Sequence, residues 1–239
     1  MSEIKIGVIG VGGWGKNHLR VLSELRALDA ICDISEERVR DNSRKYGVEG
    51  YTDVDAFLRR DLDGVIVSTP TRTHFQVALK AIGEKKNLLV EKPFTYDVQE
   101  GETLLRKAKE NGVILTVGFI ERFNPAMREA KRLVANGTIG APLYLIFTRE
   151  NRWPAHILDV GVILDTTIHD IDLSRWFFEK EPTIVFARTG RFGIDRERVS
   201  ALTLGFPEER SSLIISNWIT PRKLRQREIV GENGLISLD

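Results

Sequence analysis

Short apolar runs recur along the first half of the chain, and the stretches between them carry helical spacing. Ile4–Ile9 predicts a strand and Trp14–Arg26 a helix; Ala30–Ile34 and Glu36–Tyr46 repeat the pair. Val54–Arg60 predicts a short helix, Gly64–Val67 a strand, Thr73–Glu84 a helix and Leu88–Glu91 a strand. Val98–Asn111 and Ile114–Phe119 complete the series as helix and strand. Strands alternating with helices in this way are βαβ units, which imply a parallel sheet with helices on both faces.

The rhythm changes near position 120. Asn124–Asn136 predicts a helix with Pro125 in its first turn and Gly137 at its end. Leu143–Glu150 reads as a strand and Ile163–Phe178 as one helix. Ile184–Arg191, Val199–Gly205, Ser211–Trp218 and Arg225–Val230 follow as strands, with a turn at Phe206-Pro207-Glu208-Glu209. That pattern predicts an antiparallel sheet with one face on a core. The expected fold class is α/β: a Rossmann doubly wound parallel sheet over residues 1–120, then an α+β domain with an open, mainly antiparallel sheet over 121–239. No Gly/Ser linker separates them, so close packing is expected. The chain stops at Gly234-Leu235-Ile236-Ser237-Leu238-Asp239, which reads as the middle of a strand, so the second sheet is expected to be short of strands.

Composition narrows the function. Apolar residues make up 42% and charged residues 29%, as in ordinary soluble proteins. A formal net charge of +1 provides no global field for nucleic acid or an anionic membrane. The opening Met-Ser-Glu-Ile-Lys has no basic leader pattern, and no apolar run approaches the roughly 20 residues that span a bilayer. The expectation is a cytoplasmic protein. Cys32 is the single cysteine, which rules out an internal disulfide and a cysteine-based metal site.

The strand Ile4–Ile9 runs into Gly10-Val11-Gly12-Gly13-Trp14-Gly15, and a helix follows. Gly10, Gly12 and Gly15 form G-x-G-x-x-G, which permits a tight turn, backbone approach to a pyrophosphate and close helix–strand packing. The helix N-terminus then offers N–H groups to the phosphates. Asp33, about 20 residues on, is placed to accept hydrogen bonds from the adenosine ribose; otherwise it is a turn residue or part of a helix cap. An acid there repels a 2′-phosphate, so NAD is favoured over NADP. Ser35 and Arg38 lie near enough to weaken that preference.

Ligands of such sheets bind outside the carboxyl ends of the strands. Ser68-Thr69-Pro70 with His74, Glu91-Lys92-Pro93, and Glu121-Arg122-Phe123-Asn124-Pro125 all fall there. Lys92 is the main candidate, because a buried strand end seldom carries an unpartnered cation; an ion pair with Glu91 is the plain alternative. His74 fits a packing role better than catalysis.

Asp165, His169 and Asp172 fall within about 60° of one another on a regular helix. A polar stripe on a largely apolar helix is costly unless it lines a cavity or is hydrogen-bonded. An imidazole suits accepting a proton from an alcohol as hydride leaves its carbon, with Asp165 one turn away to orient it. A metal site or a buried structural network are the competing readings.

Together, the Gly10–Gly15 turn, Thr69-Pro70 with His74, Glu91-Lys92-Pro93 and the Asp165…His169…Asp172 segment resemble the glucose–fructose oxidoreductase / inositol dehydrogenase / MocA family. The resemblance covers essentially the whole chain. It implies a Rossmann domain before an open-sheet domain, and hydride transfer between a nicotinamide and a hydroxyl or carbonyl of a sugar or cyclitol. By resemblance, Lys92 and His169 are the catalytic pair, with Asp165 in support, and copies assemble as dimers or tetramers through the second sheet. Residues 120–125 and 160–172 look like those of nucleotide-sugar 3-dehydrogenases, which act on UDP-N-acetylglucosamine. Cofactor contacts are then expected from Gly10, Gly12, Gly13, Trp14, Gly15, Asp33, Ser68, Thr69, Pro70, His74, Glu91 and Lys92. Substrate contacts are expected from Lys92, Arg122, Asn124, Arg149, Arg152, Trp153, Asp165 and His169, with no metal. Arg149, Arg152 and Trp153 would suit a diphosphate and a stacked ring, or form a basic loop after an edge strand. The resemblance has two departures. Many members carry Gly where this chain has Thr167, and members run on past position 239. A free sugar or inositol is the alternative substrate, and a non-catalytic NAD-binding sensor the alternative class.

Overall fold

The computed structural model describes residues 4–152 and 160–239, so Trp153 lies outside the described residues. The chain divides into two compact units, Met1–Gly118 and Phe119–Asp239.

The first unit is built from β1 (Ile6–Ile9), α1 (Gly15–Glu24), β2 (Leu28–Cys32), α2 (Glu36–Tyr46), β3 (Glu49–Tyr51) and α3 (Val54–Leu58). It continues through β4 (Gly64–Val67), α4 (Thr71–Gly83), β5 (Asn87–Val90), α5 (Val98–Asn111) and β6 (Leu115–Val117). The strands pair in the order β3-β2-β1-β4-β5-β6, every pair parallel. This is the doubly wound dinucleotide-binding order. Alternation along the strands divides the core between the two faces of the sheet. Val8, Ile31 and Ile66 pack with Leu19 and Leu22 of α1. Ile9, Ala30, Cys32, Val65 and Val67 pack with Phe57, Ala78, Ile82 and Leu104. Strand β3 carries no apolar run and was not predicted. Backbone pairing holds it to Ala30–Cys32, with the Asp33 N–H donating to the Tyr51 carbonyl at 3.1 Å.

The second unit opens on a 3₁₀ turn (Ile120–Phe123), then α6 (Pro125–Ala135) and β7 (Pro142–Arg152). A π turn (Ile163–Thr167) leads into α7 (Ile168–Phe178). Strands β8 (Ile184–Gly190), β9 (Val199–Gly205), β10 (Ser211–Asn217), β11 (Ile219–Gly231) and β12 (Leu235–Leu238) complete it. The sheet order is β12-β11-β7-β10-β9-β8. All its pairs are antiparallel except β7 with β10, in keeping with the mainly antiparallel sheet expected. Leu145, Phe147, Leu202, Leu204, Ile214 and Ile229 face one side, covered by Met127 and Ala130 of α6 and Leu173, Phe177 and Phe178 of α7. Small hydroxyl residues let α7 lie close: Ser174 Oγ is 2.8 Å from Ser212 Oγ, and Thr167 Oγ1 is 2.9 Å from Ser200 Oγ.

Two expectations need correction. Strand β11 runs through Pro221-Arg222-Lys223, which has no strand pattern, at the cost of an irregular register between Ile219 and Leu224. The segment 163–178 is also not one regular helix: the Ile168 N–H bonds to the Ile163 carbonyl, the wider turn of a π-bulge. The 100° count therefore does not carry Asp165 to His169, although it holds from His169 to Asp172 inside α7. Among the described residues, no helix is long and apolar enough to cross a membrane.

Candidate active site

The carboxyl edge of the first sheet gathers the Gly turn, Asp33, Ser68–Pro70 and Glu91–Lys92. Gly10 sits at φ +89°, and a Cβ there would meet the Ser68 backbone at 2.7 Å. A Cβ on Gly15 would lie 1.9 Å from the Gly10 carbonyl oxygen. Both positions are glycine because the turn closes on itself. A Cβ on Gly13 meets nothing within 4 Å, so space is open above that side of the turn. Helices α2, α3, α5 and α6 are capped by Ser35, Asp53, Asp97 and Asn124. Helix α1 has no side-chain cap and no acid in its first turn. Its N-terminal field is left to an anion, as a dinucleotide pyrophosphate requires.

Asp33 is buried beside this turn. Its Oδ2 accepts from the Val11 N–H at 2.9 Å, and its Oδ1 from the Ser35 N–H at 3.0 Å. A carboxylate has about four acceptor sites, so capacity remains for ribose hydroxyls. The Arg38 guanidinium lies 3.6 Å from Asp33. We expect Asp33→Ala to narrow the preference for NAD over NADP and, by freeing the Val11 N–H, to weaken both. Unchanged KM ratios for the two cofactors would remove Asp33 from the ribose site. The neighbouring Cys32 thiol is pushed up to about 12 by burial and by the Asp33 and Asp53 charges, so it supplies no nucleophile near neutral pH.

Several residues expected to touch the cofactor are engaged within the protein. Ser68 Oγ donates to the Gly10 carbonyl at 2.7 Å, bracing the turn. Thr69 Oγ1 accepts from Thr73 Oγ1 at 2.8 Å, and Pro70 precedes the first residue of α4. His74 takes the packing role that its sequence context suggested. It is buried, with Nδ1 2.9 Å from the Pro93 carbonyl oxygen and Nε2 2.8 Å from that of Thr69. Glu91 is held within the protein as well. Its buried carboxylate accepts from Trp14 Nε1 at 2.8 Å and from the Lys92 N–H at 3.1 Å, and pairs with His18 Nε2 at 2.7 Å. Glu91 thus ties the dinucleotide turn to the end of β5, and leaves a half-exposed indole face beside the turn. His18 was missed; it lies one helical turn beyond Trp14, so the i, i+4 spacing could have found it. Lys92 is half-buried at the strand end, in a cis peptide bond to Pro93.

In the second unit, Arg149 is buried and paired with two carboxylates. Alternation along β7 puts it on the covered side with Leu145 and Phe147, and its exposure is 4%. Its Nε donates to Asp170 Oδ2 at 2.7 Å and its Nη1 to Glu121 Oε1 at 3.0 Å. Arg227, inward on β11 beside Ile229, donates from Nη2 to Glu121 Oε2 at 3.0 Å. Two guanidinium groups and two carboxylates therefore balance in the core. Burial pushes the Asp170 carboxyl up, more than Arg149 and Arg227 pull it down. Burial acts the same way on Glu121, but Arg149 and Arg227, with a smaller pull from His169, hold it below the ordinary value. Periodicity along β7 and β11 could have revealed Arg149 and Arg227, whereas Glu121 and Asp170 give no local signal.

Arg122 grips Asp172 through two bonds of 2.7 and 2.6 Å. Asn124 caps α6, its Oδ1 accepting from the Ala126 N–H at 3.0 Å. Arg152 ends β7 exposed. Asp165 is half-buried on the π turn and accepts from Thr166 Oγ1 at 3.0 Å; His169 is buried at the start of α7. Among the described residues no cluster of His, Cys, Asp and Glu has metal-site geometry.

A family profile described as "Oxidoreductase family, NAD-binding Rossmann fold" matches residues 4–119, and one described as "GFO/IDH/MocA C-terminal domain" matches residues 127–237. The chain belongs to the GFO/IDH/MocA oxidoreductase family. Among similar GFO/IDH/MocA proteins is UDP-N-acetylglucosamine 3-dehydrogenase of Acidithiobacillus ferrooxidans, 35% identical over 78% of this chain and 58% of that protein. The scyllo-inositol 2-dehydrogenase (NAD(+)) of Bacillus subtilis is 34% identical over 77% of this chain and 56% of its own length. A solved structure of the Acidithiobacillus enzyme superposes with a TM-score of 0.92 at 29% identity, covering all of this chain and 75% of that one. The chain thus spans a little over half the length of the curated GFO/IDH/MocA relatives it matches. Thr167, where many members carry glycine, is accommodated: its hydroxyl meets Ser200 and donates to the Val162 carbonyl at 3.3 Å.

Proposed function

We propose that this chain is part of an NAD-dependent dehydrogenase acting on a secondary hydroxyl of a sugar or cyclitol, with a UDP-N-acetylglucosamine-type nucleotide sugar, attacked at C3, as the favoured substrate. One observation supports this reading above the rest. The uncapped Gly turn, Asp33 and Lys92 share the carboxyl edge of one parallel sheet, and Glu91 joins the turn to the lysine. Bound NAD supplies the hydride acceptor for the carbon. In this reading, the Lys92 ammonium hydrogen-bonds the reacting oxygen and polarises it. His169 takes the hydroxyl proton, and Asp165 supports the imidazole. Self-association through the second sheet belongs to the same reading; its β8 exposes Ile184, Val185 and Phe186. So does a cytoplasmic location.

The test is fluorescence titration with NADH, followed by turnover on UDP-N-acetylglucosamine, scyllo-inositol and myo-inositol. Turnover on the nucleotide sugar alone is the expected result. Turnover only on the inositols shifts the substrate, and binding without turnover on any of them replaces the enzyme with a sensor.

A further inference from the structure

A basic hollow of about 410 Å³ opens on the second unit between the 3₁₀ turn, α6 and α7. Arg122, Phe123, Arg128, Lys131, Arg132 and Trp176 line it. A smaller hollow of about 320 Å³ shares Arg122 and Trp176 with it. Helix α6 explains the charge: Met127, Ala130 and Val134 turn to the core, which leaves Arg128, Lys131 and Arg132 on its outer side. No carboxylate lines the larger hollow. Three of its cations are tied to acids at its margins, Arg122 to Asp172, Lys131 to Glu179 and Arg132 to Glu129. Arg128 is exposed and, among the described residues, has no ion-pair partner. Lys131 Nζ also donates to the Trp176 carbonyl at 2.7 Å and lies 5.6 Å from the indole centroid. Phe123 is exposed at the opposite margin.

Helix geometry links this hollow to the proposed chemistry. His169, Asp172 and Trp176 stand at i, i+3 and i+7 on α7, within about 60° of one another, and the first and last are about 10.5 Å apart along the axis. Arg122, clasping Asp172, occupies the middle of that strip. Proton acceptor, guanidinium and aromatic ring thus follow in the order sugar, diphosphate and base of a nucleotide sugar. Fixed cations beside a planar ring suit that ligand, whereas a free cyclitol would use neither.

We propose that this hollow binds the nucleoside diphosphate part of the substrate, with Arg122 and Arg128 on the phosphates and Trp176 against the base. The inference rests on the nucleotide-sugar reading above and deepens it. The full chain, saturated with NADH to fill the dinucleotide turn, is titrated calorimetrically with UDP and with inorganic pyrophosphate. UDP is expected to bind, and Arg128→Glu to weaken both ligands on the order of tenfold or more. Trp176→Leu is expected to weaken UDP while sparing pyrophosphate, which has no ring. NADH titration of each variant checks that it remains folded. No UDP binding to the wild type at millimolar concentration, or UDP affinity unchanged in a folded Arg128→Glu, overturns the proposal. Loss of UDP binding in that variant, together with no turnover by the wild type on any sugar, would keep this site and remove the dehydrogenase reading.

Discussion

Lys92→Ala is expected to lower turnover on the order of a hundredfold or more while NADH still binds, and His169→Ala to do the same. Proton transfer and polarisation by a positioned side chain contribute about 10²–10⁴-fold, and neither group belongs to the dinucleotide turn. The surroundings of Lys92 sharpen the expectation. Its backbone N–H is held by the Glu91 carboxylate, and the next carbonyl, that of Pro93, is held by His74, so removing the side chain should leave the strand end in place. Steady-state rates beside NADH fluorescence titration check this. A variant retaining full rate removes that residue from the chemistry. One that loses NADH affinity in parallel points to a collapsed turn instead.

The second large effect is expected in stability. Arg149→Met should destabilise the protein by about 3–5 kcal/mol, because it leaves the Asp170 and Glu121 carboxylates buried with half their compensation. For a chain of this size that corresponds to a fall of roughly ten degrees in Tm. The fall should appear without any ligand, which separates this role from the diphosphate contact expected from the sequence. A ligand-binding arginine would raise KM and leave the apo Tm unchanged. Replacing Asp170 by leucine in the same chain should recover part of the loss, since the stranded charge goes with it.

What the sequence revealed follows from the range of each interaction. The Gly10–Gly15 turn lies between its own strand and helix, and Asp33 ends the next strand, so local pattern suffices for both. Helix α6 was equally legible, because Asn124, Pro125 and Gly137 mark its ends. Glu91 was read as a cofactor contact beside Lys92, and its ties to Trp14 and His18, more than 70 residues away in sequence, left no local trace. The π turn left no mark in composition, and it upset an angular count that assumed one regular helix. Arg149 was read by residue type, although its place in the alternation with Leu145 and Phe147 already pointed inward. Strand β3 and the first half of β11 owe their conformation to pairing partners, and a chain read one window at a time does not see those partners.

The Glu91 carboxylate, shared among an indole, an imidazole and a main-chain amide, couples two regions that the sequence keeps far apart. A shift of the Gly turn would reach the segment bearing Lys92 through this one carboxylate. Substitutions at Trp14 or His18, neither of which takes part in the proposed chemistry, would then surface as changes in the rate of the reaction.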